Sequence, residues 1–137
     1  PIFCYFNWAP ASIFLGDSGS IPLGFLTIFL LIDLALEGFW LAALILPLYY
    51  LMDTGITLLK RIIKKQRFWE AHKEHFYQKA IKNGFSHSLV STRLILINLG
   101  LFFLSFCAVI YENNLIFFIL GLIWCLFFMY LFSKKNK

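Results

Sequence analysis

The chain has 137 residues, of which 61% are hydrophobic and only 14% charged, with a net charge of +5. An average soluble protein carries about 45–50% apolar and about 25% charged residues, so this composition does not supply a surface that water could cover. A soluble globular domain is thereby excluded, and the seventeen Phe and four Trp suit helices that face acyl chains and membrane interfaces.

Residues 1–20 come first and contain the richest local pattern, Phe14-Leu15-Gly16-Asp17-Ser18-Gly19-Ser20. No basic segment precedes the opening apolar stretch, and Asn7 and Pro10 interrupt it, so no cleavable signal is expected. Because the chain opens at Pro1 in motif-bearing sequence, it is expected to be the C-terminal part of something longer. An Asp between glycines ahead of a helix can place a carboxylate on a hard cation, or leave backbone N–H groups for a phosphate. It can equally be a capping loop, with Ser18 or Ser20 as N-cap. A serine-protease reading of Gly-Asp-Ser-Gly fails, because that site needs a His and an Asp presented by a soluble double barrel.

Four apolar stretches follow, from about Ile21 to Leu36, Phe39 to Leu59, Leu94 to Ile110 and Leu115 to Phe132. Each approaches the roughly 17–25 residues of a spanning helix, the first only marginally. The expected fold is an all-α, polytopic transmembrane helical bundle of about four spans with one basic cytoplasmic loop. Its segments are a loop at 1–20, two spans within 21–59, a polar loop at 60–93, two spans within 94–132 and a tail at 133–137. Pro47 should kink the second span, which neighbouring helices can accommodate in lipid. Glu37-Gly38 and Tyr111-Glu112-Asn113-Asn114 are tight turns between antiparallel neighbours.

All twelve Lys and Arg fall on one side of this arrangement: nine between Lys60 and Arg93, and three in the tail at Lys134, Lys135 and Lys137. The two tight turns carry Glu37 and Glu112 and no Lys or Arg, so the basic side is expected to be cytoplasmic. The positive charge is then a topology signal and an attractor for anionic membrane lipids, with individual cations left to contact a phosphorylated substrate; no nucleic-acid partner is expected.

Within the central loop lies Trp69-Glu70-Ala71-His72-Lys73-Glu74-His75-Phe76-Tyr77-Gln78. On a helix His72 and His75 share a face, as do Lys73 and Tyr77. The imidazoles could donate to phosphate oxygens or simply be solvated; zinc is not indicated, with no Cys nearby and no His-Glu-x-x-His pattern. Cys4, Cys107 and Cys125 are widely spaced in apolar sequence and read as free thiols. Asp53, near the cytoplasmic end of the second span, is a carboxylate at membrane depth and marks a functional site by default. Asp33 is similar in kind but lies where it can reach water beside Glu37.

Asn7-Trp8-Ala9-Pro10-Ala11, running into Phe14 through Ser20, resembles the Asn-x-x-Pro-Ala and Phe-x-Gly-Asp-x-Gly-Ser motifs of the polyprenyl-phosphate N-acetylhexosamine-1-phosphate transferases, glycosyltransferase family 4. Asp53 to Arg61 looks like the end of a later family helix, and Ala71 to Gln78 is similar to the cytoplasmic His loop of one bacterial branch. Together these cover roughly residues 7–93. The resemblance implies transfer of a sugar 1-phosphate from a UDP-sugar to undecaprenyl phosphate at the cytoplasmic face of a bacterial inner membrane, with release of UMP and dependence on Mg²⁺. It implies Asp17 and Asp53 as catalytic carboxylates, Asp17 as the Mg²⁺ ligand, and His72 and His75 as contacts to the nucleotide sugar or its diphosphate. Asp53 would line the same cleft and orient a His, and Asn7 would support the metal loop. The family's Asp-Asp pair is not in this sequence. The implied partner is therefore an N-terminal half of the same enzyme, and the piece alone is expected to be inactive; a non-catalytic subunit or decayed remnant is the alternative. Tyr77 stands where the peptidoglycan-precursor branch has another His, which favours UDP-GlcNAc or a related UDP-HexNAc.

Overall fold

A computed structural model describes residues 2–7, 10–65 and 75–135. Its elements are α1 (Ile2–Asn7), α2 (Gly16–Leu34), a π-helical turn (Ala35–Phe39), α3 (Trp40–Ile45), α4 (Leu48–Ile63), α5 (Phe76–Lys82), α6 (His87–Ile110) and α7 (Ile116–Ser133). Among the described residues there is no strand. The chain is a multi-pass helical membrane protein. Among the described residues, three stretches are long and apolar enough to cross a bilayer, Gly16–Ile45, His87–Ile110 and Ile116–Ser133.

The first of these stretches is not one straight helix. Gly38 adopts φ +96°, a left-handed conformation that costs glycine nothing, and Phe39 leaves the helical region after it. The chain folds back there. Thr27, Leu30, Leu31 and Leu34 of α2 line a cavity of about 470 Å³ whose other wall is Leu46, Pro47, Tyr50 and Asn98. In a continuous helix Thr27 and Leu46 would stand about 28 Å apart, too far to share that space. The Glu37-Gly38 reversal expected from sequence is therefore present. The second pass is α3 followed by α4, broken at Leu46–Pro47 because proline lacks the N–H that would continue the ladder. Counting that broken pass gives about four spans.

Several boundaries differ from the sequence reading. α2 begins at Gly16, so Ser18 and Ser20 lie inside the helix; Leu15 occupies the N-cap position, and no side chain caps the end. Residues 16–20 are thus helix, and the capping-loop alternative is overturned. Asp17 lies in the first turn, where it complements the helix dipole. α4 continues to Ile63, and the central polar region is not all loop. It contains α5, and α6 starts at His87, seven residues before Leu94, where Ser86 Oγ accepts the N–H of Leu89 at 3.2 Å. A polar first turn is easily read as loop, because its solvated side chains hide the helical period.

The core is built between α3, α4, α6 and α7 from Leu41, Ile45, Leu48, Ile97, Leu101, Ala108, Cys125, Met129 and Phe132. Ser105 Oγ donates to the carbonyl of Ala42 at 3.4 Å, and Trp124 Nε1 to that of Ile97 at 3.4 Å, tying α6 to α3 and to α7. α2 is different, since none of its side chains is buried and its apolar residues point all round. Such a surface is stable only against lipid or another apolar surface. At one end of the bundle Asn113 Nδ2 donates to the carbonyl of Gly38 at 3.0 Å, which brings the two tight turns together. At the other end Asn83 Nδ2 donates to the carbonyl of Phe132 at 3.0 Å, so α5 is tied to the end of α7.

Candidate functional site

One face of α4 carries Tyr49, Asp53, Thr57 and Arg61 at intervals of four residues, and all four are buried. Four-residue spacing places them one above another on a helix. Leaving this stripe against lipid would expose two ionisable side chains to hydrocarbon, so α4 turns it towards α5 and α7 instead.

Asp53, 3% exposed, is the centre of the site. Its Oδ1 accepts the backbone N–H of Phe76 at 3.0 Å, lies 3.3 Å from His75 Nδ1, and is 3.4 Å from the Thr57 hydroxyl that donates to it. The Phe76 bond is the shortest of the three. His75 is extended at φ −60° and ψ 150°, and α5 begins just after it, so the carboxylate of α4 holds the entry to α5. The ring of Tyr77 stacks on that of His75, with centroids 5.8 Å apart and planes 18° from parallel. Gln78 Nε2 donates to the Tyr77 hydroxyl at 3.3 Å.

Two lysines lie beside this point, and an arginine covers a further aromatic ring. Lys60 Nζ lies 5.0 Å and Lys79 Nζ 5.3 Å from the centre of the Phe76 ring, within the range of cation–π attraction. The Arg93 guanidinium covers Phe85 at 4.6 Å. Aromatic faces hold these charged side chains against the bundle.

Asp17 stands apart from that cluster. It is exposed in the first turn of α2, at the end of the bundle opposite the Gly38 turn. Among the described residues no hydrogen bond or ion pair links it to Asp53 or His75, and no three His, Cys, Asp or Glu gather as a metal cage. Asn7 Nδ2 donates to the carbonyl of Ile13 at 2.8 Å, and the N–H groups of Ser12 and Ile13 reach the carbonyl of Phe6. These bonds fold the segment ahead of Gly16 back onto α1. His72 and Lys73 lie outside the described residues. Cys107 and Cys125 are free thiols.

The structure thus joins Asp53 to His75 and places Asp17 at a separate helix end. Thr57, Arg61 and the Phe76 N–H were not singled out from sequence. The spacing Tyr49, Asp53, Thr57, Arg61 was a signal available there for the side chains, whereas a backbone donor has none.

Residues 2–35 match the sequence model of glycosyl transferase family 4. Over 129 residues, covering 90% of the chain, it is 30% identical to the probable undecaprenyl-phosphate N-acetylglucosaminyl 1-phosphate transferase of Bacillus subtilis (strain 168). The chain covers 35% of that relative, about a third of its length. No solved structure matches it.

Proposed function

We propose, from the premise that this chain belongs to glycosyl transferase family 4, that it forms part of a membrane phosphotransferase. The enzyme moves N-acetylhexosamine 1-phosphate from a UDP-sugar to undecaprenyl phosphate and releases UMP. It works at the cytoplasmic face of a bacterial inner membrane, in the synthesis of envelope polysaccharide. The observation that carries this reading is the part-buried Asp53–His75 contact beside Lys60 and Lys79, at the end of the bundle where α2 begins with Asp17.

The reaction must bring two anions together, a lipid phosphate and a nucleotide diphosphate. Coulomb repulsion between them is severe in a site that excludes water, so cations are needed. Lys60, Lys79 and Arg93 supply them at the membrane edge. His75 contacts the diphosphate or the nucleotide sugar, as does His72.

Asp17 fits a magnesium ligand. Mg²⁺ is commonly held by one or two carboxylates with waters and substrate phosphates completing its shell, and an exposed carboxylate at a helix end suits that demand. Bound there, the ion would neutralise pyrophosphate charge and stabilise the leaving UMP. Asn7 keeps the segment before Gly16 folded and so supports the placement of Asp17. Tyr77, stacked on His75 where a further His would stand in the peptidoglycan-precursor branch, favours UDP-GlcNAc or a related UDP-HexNAc as donor.

The test is transfer of label from radiolabelled UDP-GlcNAc to undecaprenyl phosphate by the gene product carrying this chain, in membranes of cells lacking such a transferase. Lipid-linked label and UMP should form with Mg²⁺, and Asp17→Asn should reduce the rate by about a hundredfold or more. Transfer at the wild-type rate with Asp17→Asn removes Asp17 from the site. No transfer to any polyprenyl phosphate from any UDP-HexNAc sinks the whole reading.

A further inference from the structure

We infer that Asp53 is the positioning residue for His75: it sets which ring nitrogen of His75 carries the proton and where the ring stands. Only the consequence for phosphate transfer rests on the function proposed above; the placement itself is a property of this chain.

A carboxylate buried to 3% exposure persists only if donors satisfy it. Three converge on Asp53 Oδ1: the Phe76 N–H, the Thr57 hydroxyl and His75 Nδ1. That oxygen already accepts from Phe76 and Thr57, so the ring nitrogen facing it must supply the hydrogen of the third bond. Neutral His75 is therefore the Nδ1–H tautomer, and its lone pair sits on Nε2. Free imidazole in water prefers the other tautomer, so Asp53 holds His75 in the less common form.

Position follows from the same oxygen. Asp53 grips the backbone of Phe76 and the ring of its neighbour His75 at once, and two attachments on adjacent residues restrict both the chain and the imidazole. Tyr77 limits the ring further from one face by stacking. The anchor is on α4, a helix buried along this stripe, while its target opens α5 on the far side of a polar segment. Asp53 thus fastens the His-bearing segment to the transmembrane scaffold.

The experiment uses the full gene product carrying this chain, in lipid nanodiscs with ¹⁵N-labelled histidine, the His75 ring being assigned by comparison with His75→Gln. Long-range ¹H–¹⁵N correlations, recorded where the imidazoles are neutral, should show His75 as the Nδ1–H tautomer. Asp53→Asn keeps the size and one acceptor oxygen, but its amide can donate to Nδ1, so His75 should switch to the Nε2–H form; a similar substitution behind the histidine of a serine-protease triad gives the wrong tautomer with geometry intact. Asp53→Leu removes both attachments and should speed amide exchange at Phe76 about tenfold or more, with total helicity kept. Thr57→Val should leave the tautomer unchanged. His75 in the Nε2–H form in the wild type, or an identical tautomer with Asp53→Asn, overturns the assignment, whatever the outcome of any transfer assay. If Asp53→Leu does not fold, the tautomer comparison with Asp53→Asn decides alone.

Discussion

Asn113 and Gly38, 75 residues apart, are joined by a 3.0 Å hydrogen bond from the Asn113 amide to the Gly38 carbonyl. The bond places both tight turns at one end of the bundle. Every described Lys and Arg therefore belongs to the opposite half, together with Asp17, Asp53 and His75. Single-sided charge, legible as a list of positions, becomes a single charged end in three dimensions.

That geometry predicts the labelling of each end. In a background with Cys4, Cys107 and Cys125 replaced by Ala, Glu112→Cys should react with a membrane-impermeant maleimide added outside intact cells. Lys64→Cys should react only after the cells are opened. The reverse pattern would place the basic end outside.

Asn113 also sits at φ +59°, where asparagine is tolerated far better than a residue without its short polar side chain. Asn113→Gly keeps the backbone comfortable and loses only the bond to Gly38, for a cost of about 0.5–1.5 kcal/mol. Asn113→Ala adds backbone strain and should cost about 1–2 kcal/mol more than Asn113→Gly. Reversible unfolding in mixed micelles measures both. Equal stability of the two variants would mean that the turn does not hold this conformation in the membrane.

Tyr49 gives a contrast with Asp53 on the same face of α4. Its hydroxyl is buried and makes no hydrogen bond among the described residues. Removing an unsatisfied polar group relieves a desolvation cost of about 1–3 kcal/mol. Tyr49→Phe should therefore leave stability unchanged or raise it, whereas Asp53→Leu strands the Phe76 N–H and lowers it. A clear loss from Tyr49→Phe in the same unfolding assay would show that the hydroxyl has a partner.

Close packing between α6 and α7 supplies a fourth prediction. A Cβ on Gly100 would fall 2.5 Å from Trp124 Nε1, inside contact distance. Gly100→Ala should displace the indole, break its bond to the Ile97 carbonyl and cost about 1–3 kcal/mol. Trp124→Phe is milder, and combined with Gly100→Ala it should cost less than the sum of the two. Strict additivity in that double-mutant cycle would show that the two residues do not touch.

How far the sequence reached depended on what kind of interaction decided each feature. The apolar runs located all the passes, because bilayer thickness demands a length and lipid admits no other composition. Pro47 and the Glu37-Gly38 pair marked the break and the reversal, because proline lacks a donor and glycine tolerates positive φ. The start of α6 at His87 escaped notice, since its first turn is polar and its cap is a single serine. The helical state of residues 16–20 escaped for a related reason: glycine and serine favour turns locally, and the apolar run of α2 behind them overrides that preference.

For the candidate site the division is sharper. Sequence alone determined that this is a basic, multi-pass membrane chain. It marked Asp53 as a candidate because charge at membrane depth is too costly to be incidental, and Asp17, His72 and His75 by the motifs that hold them. Only the tertiary structure decided that Asp53 meets His75 and Phe76 while Asp17 stands on a separate helix end. Those contacts span 22 and 23 positions of chain and depend on how α5 returns to α4, which is set by packing among helices and by a backbone N–H that no side-chain pattern announces.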